Sequence, residues 1–144
     1  MNEKKDPLDE LIVNENMPVD KTLLADVLKG ELTITKDGQV SYSDRFSSYK
    51  QWKRVMLYLL SRKVMVIKKI GGLTSEKASA DELSKNALLP KSSIGRVLAE
   101  NLRRIVISEK GKYHIPNYNL VRCKAILDGN QKVPTQIKKK KSKE

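Results

Sequence analysis

The feature that most constrains this 144-residue chain is a pair of helical patterns on either side of a proline. The run Ser79-Ala80-Asp81-Glu82 has the spacing of a capping box, in which Ser79 caps the Glu82 N–H and the glutamate reaches back. The helix that it opens places Leu83 and Ala87 inward, and Leu89–Pro90 then breaks the direction of the chain. A second helix is predicted from about Lys91 to Ile105, with an apolar face made of Ile94, Val97, Leu98, Leu102 and Ile105. Two short helices joined by a tight turn, the second longer and basic on its outer face, are typical of a helix-turn-helix.

A hairpin and a last helix follow this pair. Residues 106–116 have the pattern of a strand, a turn at Gly111 and a returning strand, with Lys110 and Lys112 at the tip. A helix from about Tyr118 to Leu127 then closes the domain, and its inward residues are expected to be Leu120, Val121, Ile126 and Leu127.

Two elements of another kind begin the chain. Between Pro18 and Lys29, apolar residues recur at helical spacing, and Gly30 ends the predicted helix. Residues 32–42 have a hairpin pattern around Asp37–Gly38. A two-residue loop would scatter the apolar side chains over both faces. We therefore predict a three-residue loop, 36–38, with Gly38 left-handed, which pairs Ile34 with Val40 and Leu32 with Tyr42 on one face.

A long helical pattern joins the hairpin to the helix pair. It runs from the capping residues Ser43–Asp44 to about Ile70, where Gly71–Gly72 end it. One apolar stripe contains Phe46, Tyr49, Met56, Leu57, Leu60, Val64 and Ile67, and a second contains Trp52, Val55, Leu59 and Val66. A helix that is apolar on two sides is expected at the centre of a fold.

With its elements in this order, the stretch 46–127 resembles the winged helix-turn-helix superfamily of DNA-binding domains. The match is carried by Glu82-Leu-Ser-Lys-Asn-Ala-Leu-Leu-Pro-Lys-Ser-Ser-Ile-Gly-Arg-Val-Leu98, which ends in the family's Ser/Thr-apolar-x-Arg-x-Leu pattern at Ser93, Ile94, Arg96 and Leu98. Two positions depart from the family. Leu88 stands where glycine is frequent, so a left-handed turn residue is not expected there. Gly95 lies inside the second helix, at a cost of about 1 kcal/mol relative to alanine.

The resemblance implies that the second helix enters the major groove of double-stranded DNA while the hairpin grips the backbone. The N-terminal half of such a helix faces base edges, and the fork of Arg96 could bind guanine O6 and N7. Arg103, later in the helix, would meet phosphate, and the hairpin lysines would touch backbone or minor groove. The predicted DNA-binding residues are Lys91, Ser92, Ser93, Arg96, Arg103, Lys110 and Lys112. A solvated surface charge is the competing interpretation for Arg96 and Arg103.

The charge of the chain points to a polyanionic partner. Lys and Arg number 29 against 17 Asp and Glu, for a net charge of +12 and a pI of about 9.8. Residues 1–31 carry 8 acidic and 4 basic side chains, whereas residues 32–144 carry 25 basic and 9 acidic ones. The last stretch contains Lys138 to Lys141 and Lys143, which either solubilise a tail or grip a polyanion.

Several classes of function are not expected. The lone cysteine, Cys123, permits no internal disulfide, and we expect it to be semi-buried. One cysteine and one histidine, His114, are too few ligands for a zinc site. His114 is expected to be structural. No apolar run could span a membrane, and no phosphate loop or nucleophile elbow is present. We expect a non-enzymatic cytoplasmic protein without a cofactor, associated with nucleoid or chromatin.

These observations predict a mainly α fold with small β elements, of the α+β class. The expected parts are an acidic flexible N-terminus (1–17), a helix-plus-hairpin extension (18–45), the winged helix-turn-helix domain (46–127) and a disordered basic tail (128–144). The predicted function is double-stranded DNA binding by a transcriptional regulator or chromatin-associated factor.

Two alternatives remain open: a winged-helix protein-interaction module within a transcription or replication assembly, and RNA binding. One basic surface formed by the candidate residues would favour DNA, whereas an apolar patch there would favour a protein partner. The second stripe of the long helix, with the last helix, would support a homodimer. The acidic segment 1–31 would restrain DNA binding by folding onto the basic face, or would engage a protein partner.

Overall fold

The computed structural model describes Leu8 and residues 18–129. In that part of the chain, five α-helices lie beside two small antiparallel sheets, a mixed α+β fold. The elements are α1 (Lys21–Leu28), β1 (Leu32–Ile34), β2 (Val40–Tyr42), α2 (Gln51–Lys68), β3 (Ala78–Ser79), α3 (Ala80–Ala87), α4 (Lys91–Arg96), β4 (Ile107–Glu109), β5 (Lys112–His114) and α5 (Leu120–Leu127). Apart from Leu8, the predicted flexible N-terminus lies outside the described residues, as does the basic tail beyond Gly129.

The first hairpin confirms the predicted register. Leu32 pairs with Tyr42 and Ile34 with Val40, around a three-residue loop in which Gly38 has φ of +89°. The tip of the loop rests on the chain beyond α2, because a Cβ added at Gly38 would lie 2.9 Å from the Cα of Gly71. The hairpin is therefore fixed against the C-terminal end of α2.

The long helix begins later than predicted. A short 3-10 turn, Phe46–Ser48, is followed by an extended residue, Tyr49, and α2 starts only at Gln51. Two interactions hold this bend: the Phe46 ring stacks on Tyr42 of the hairpin, and the Arg54 guanidinium donates to the carbonyls of Ser47 (2.9 Å) and Tyr49 (3.3 Å). At its other end α2 stops at Lys68, where Lys69 adopts a left-handed conformation (φ 57°).

The central position of α2 is confirmed, because residues of both of its apolar stripes are buried in one hydrophobic core. Val55 and Leu59 of one stripe are as inaccessible as Met56 and Leu60 of the other. Helices α1 and α5 contact each other and complete the core, with Leu24, Val27, Leu28, Leu120, Cys123 and Ile126. The segment 18–45 and the segment 46–127 thus share this core.

The second sheet has the strand order β3-β5-β4. Its hairpin turns through Lys110 and Gly111, both with positive φ (53° and 77°), so that Glu109 pairs with Lys112. The third strand, β3, was not predicted; it is only two residues long and pairs Ala78 with Tyr113.

The last helix differs from the prediction in one residue of its inner face. Val121 is 65% exposed, since it lies one residue, or about 100° of rotation, beyond the buried Leu120. Cys123 is fully buried rather than semi-buried, and burial raises the pKa of its thiol to about 12. None of the helices among the described residues is long and apolar enough to cross a membrane.

Candidate nucleic-acid interface

The predicted capping box at the start of α3 is present. Ser79 Oγ accepts a hydrogen bond from the Glu82 N–H (3.2 Å), and Glu82 Oε1 accepts one from the Ser79 N–H (2.9 Å). Leu83 and Ala87 point into the core, as expected, and are fully buried. The same serine belongs to β3, so the box joins the helix pair to the second sheet.

A buried arginine of α2 holds the chain that leads into this box. The Arg62 guanidinium donates to the carbonyls of Ser75 (3.2 Å), Glu76 (3.0 Å) and Lys77 (2.9 Å) and to Glu82 Oε2 (3.2 Å). Burial of Glu82 opposes its ionisation, but the hydrogen bonds from Ser79 and the charge of Arg62 outweigh burial and lower the pKa of this carboxyl.

The turn between α3 and α4 does use a left-handed residue, contrary to the expectation for Leu88. Leu88 has φ of 60° and ψ of 47°, and its side chain is 64% exposed. The conformation is held by hydrogen bonds around it: the Leu89 N–H donates to the Ser84 carbonyl (3.0 Å), and Arg54 Nη1 donates to the Leu88 carbonyl (3.3 Å). These contacts, rather than a glycine, set the direction in which α4 leaves the turn.

The second helix of the pair is shorter than predicted. The α-helix covers Lys91–Arg96, and a π-helical turn follows at Val97–Asn101, where the Leu102 N–H donates to the Val97 carbonyl (3.0 Å). The predicted apolar face is otherwise correct: Ile94, Val97, Leu102 and Ile105 are buried and Leu98 is half-buried. The wider turn rotates the residues beyond Val97 away from their positions on an α-helical wheel.

The candidate residues on α4 fall into two groups. Ser92 and Arg96 are exposed, and Arg96 Nη2 donates to Gln51 Oε1 at the start of α2 (3.1 Å). Lys91 is also exposed, but its Nζ lies 2.6 Å from Asp81 Oδ1. The structure corrects the placement of Ser93, which is only 7% exposed because it lies four residues before the buried Val97 on the same helix face. Ser93 is therefore not a candidate for contact with a ligand.

Arg103 lies apart from Arg96, in a surface groove of about 550 Å³ between the end of the π-helical turn, β4 and α5. Arg104 and Arg122 share the groove, as do the exposed apolar residues Ile107 and Val121. The Arg104 carbonyl accepts from Arg122 Nη1 (3.2 Å), so the walls of the groove are linked. Arg96 is the last residue of α4, whereas Arg103 follows the π-helical turn and lies in this groove.

The β4–β5 hairpin presents both predicted lysines. Lys110 at the turn and Lys112 on β5 are exposed. The carboxylate of Glu109 beside them forms an ion pair with Lys77, which lowers the pKa of Glu109. From residue 88 to residue 114 the chain carries six Lys or Arg and two Glu, a net charge of +4 with histidine neutral.

His114 is half-buried, and desolvation lowers its pKa below 6.5. It is therefore neutral at pH 7. Among the described residues, no group of three or more His, Cys, Asp or Glu side chains could hold a metal ion.

Sequence patterns did not indicate the residues that position the candidate interface. Arg62 and Arg54 of α2 bind backbone carbonyls from distant segments. Asn119 Nδ2 donates to the Ile105 carbonyl (2.9 Å) and thereby fixes the chain after the π-helical turn. The sequence offers one signal for such a residue, namely a basic side chain that falls within a buried stripe of a helix. A buried arginine requires hydrogen-bond acceptors, so its position indicates that other segments supply them.

Comparisons with protein-family models, with curated proteins and with solved structures found no match to this chain.

Proposed function

We propose that the protein is a winged helix-turn-helix domain that binds double-stranded DNA through α4 and the β4–β5 hairpin. The observation that carries the proposal is the exposure of Arg96 on a helix whose other face, at Ile94 and Val97, is buried. A short helix that follows a tight turn and offers a guanidinium outward suits the major groove, where arginine pairs with guanine O6 and N7.

The order of the elements supports this proposal. A strand, a capped helix, a turn, a second helix and a hairpin follow one another, and β3 pairs with the returning strand of the hairpin. In such a complex α4 would lie in the groove, Ser92 would reach bases or phosphates, and Lys110 and Lys112 would contact backbone. The exposed Lys91 pairs with Asp81 in the free protein, so phosphate would compete with a carboxylate for this lysine.

The proposed biological role is that of a transcriptional regulator or chromatin-associated factor. The tail lysines, Lys138 to Lys141 and Lys143, would add sequence-independent affinity that falls as salt rises.

The test is fluorescence anisotropy with a random duplex and the full chain at about 0.15 M salt, where the Debye length is about 8 Å. We expect Arg96→Ala to weaken binding several-fold. Lys36→Ala is the matched control, because it removes one charge from the loop near Gly71, beyond the C-terminal end of α2. Arg96 contacts the N-terminal end of that 18-residue helix, about 27 Å away.

A full chain with Lys138 to Lys141 and Lys143 changed to glutamine completes the test. Binding that persists in this variant and still responds to Arg96→Ala supports the proposal. Binding that disappears with the tail lysines and is indifferent to Arg96 contradicts it.

The second candidate function is a protein-interaction module within a transcription or replication assembly. The observation that favours it is the groove at Arg103, where the exposed side chains of Ile107 (39%) and Val121 (65%) lie among three arginines. Such a surface suits an acidic partner with an apolar anchor. Val121→Asp would abolish binding of that partner while leaving DNA binding unchanged.

A further inference from the structure

A second groove, of about 420 Å³, lies between α1, β1 and the C-terminal half of α2. Two of its apolar side chains, Leu24 and Leu28, are buried, and five more are only half-buried: Leu32, Ile34, Val64, Ile67 and Ile70. Three exposed lysines, Lys21, Lys29 and Lys68, line its edge, and none of its described lining residues is acidic. An apolar surface edged by cations suits an amphipathic segment with carboxylates beside its apolar stripe.

The chain itself contains a segment of this composition. Residues 1–17 hold five Asp or Glu and two Lys, a net charge of −3. Within it, Leu8, Leu11 and Ile12 have the i, i+3, i+4 spacing of one helix face. On the same helix Asp9 flanks this face, about 100° from Leu8, and Glu15 continues the face one turn beyond Ile12, so carboxylates stand beside and beyond the apolar patch.

This segment also joins the described chain at the groove. Pro18 begins the continuous described chain, and Lys21 at the edge of the groove is three residues further on. Three residues span at most about 11 Å. Because the connection is so short, the effective concentration of the segment at the groove is high, and little chain entropy is lost when it docks.

We propose that residues 6–17 of this chain occupy the groove as an amphipathic helix. Leu8, Leu11 and Ile12 pack on its floor, and the carboxylates of Asp9 and Glu15 face lysines at its edge. Leu8 is 64% exposed in the structure, so burial of this side chain is a change that docking requires. The proposal concerns a surface apart from α4 and the second hairpin, and it does not depend on DNA binding.

The test is methyl NMR of the full chain with labelled isoleucine δ1 groups. We expect nuclear Overhauser effects from Ile12 to Ile34 or Ile67. Leu11→Asp should remove them, because it puts a charge on the apolar stripe, whereas Val13→Asp makes the same change of charge off the stripe and should retain them. Val13→Asp also controls for a general effect of an added charge in this segment on the folding of residues 18–129.

Three results would overturn the proposal. The first is the absence of these effects in the unmodified chain. The second is their persistence in Leu11→Asp. The third is their appearance only between differently labelled chains in a mixed sample, which would show that a second copy fills the groove. Reversal of the edge charges in Lys21→Glu/Lys68→Glu should weaken the effects and would supply independent support.

Discussion

Arg62 Nη1 lies 3.2 Å from Glu82 Oε2, so the carboxylate that closes the capping box of α3 also binds a buried cation of α2. The other oxygen of this carboxylate accepts the Ser79 N–H. A single side chain therefore ties the start of the candidate interface to the central helix. The guanidinium adds three backbone carbonyls to the same junction, which makes Arg62 the residue on which its geometry most depends.

Arg62→Lys should lower the free energy of unfolding by about 2–4 kcal/mol, because an ammonium cannot satisfy the acceptors that the planar fork reaches, and buried acceptors are left without partners. Chemical denaturation measures the effect. Arg103→Lys, at an exposed position, is the control and should change stability by less than about 0.5 kcal/mol. Equal effects of the two substitutions would disprove the special role of Arg62.

Glu82 should make stability depend on acid pH. Its pKa is lower in the folded protein than its ordinary value of 4.5, so the unfolded chain binds the proton more readily. The stabilisation is therefore fully present above pH 4.5 and is lost as pH falls through the folded pKa. Glu82→Gln keeps a capping-box side chain without this titration. Denaturation between pH 3 and 7 should give a shallower acid loss for this variant than for the unmodified protein.

Leu88→Gly should stabilise the protein. A left-handed conformation costs an L-residue about 1–2 kcal/mol, and glycine recovers most of this while losing about 0.5–1 kcal/mol of chain entropy. We expect a net gain of up to about 1 kcal/mol in denaturant unfolding. Leu88→Ala removes the exposed side chain but retains the strain, and it should show no such gain.

Gly95→Ala should raise the stability of the protein and weaken its binding to DNA. A Cβ at this position meets nothing within 4 Å, so alanine should stabilise the helix by about 1 kcal/mol. The added methyl stands on the exposed face with Ser92 and Arg96, where a glycine permits close approach of a ligand to the backbone. We expect a higher melting temperature together with weaker binding to duplex DNA. Tighter binding would show that DNA does not approach this face of α4.

Local signals in the sequence predicted much of the fold, because their physics is contained in a few neighbouring residues. The capping box of α3 and the register of the first hairpin are examples. The predictions were wrong where contacts between distant segments determine the secondary structure. Strand β3 exists only because it pairs with the strand that contains Tyr113, and α2 starts late because Phe46 stacks on Tyr42.

The same distinction applies to the candidate interface. Exposure of Ser92 and Arg96 followed from helical periodicity, and the spacing of Ser93 and Val97 also accounts for the burial of Ser93. The left-handed conformation of Leu88 depends instead on contacts that no local pattern encodes. The groove at Arg103 is likewise assembled from three segments that are separate in sequence.

The contact between α1 and α5 has a consequence for the order in which the molecule can form. During synthesis α1 leaves the ribosome about 100 residues before its partner, and until then the side chains of Leu24, Val27 and Leu28 have only part of their final neighbours. Contacts of such long sequence separation form late and slowly. A nascent chain that stops short of Leu120 would therefore expose an apolar helix face, which marks incomplete molecules for chaperones and proteases.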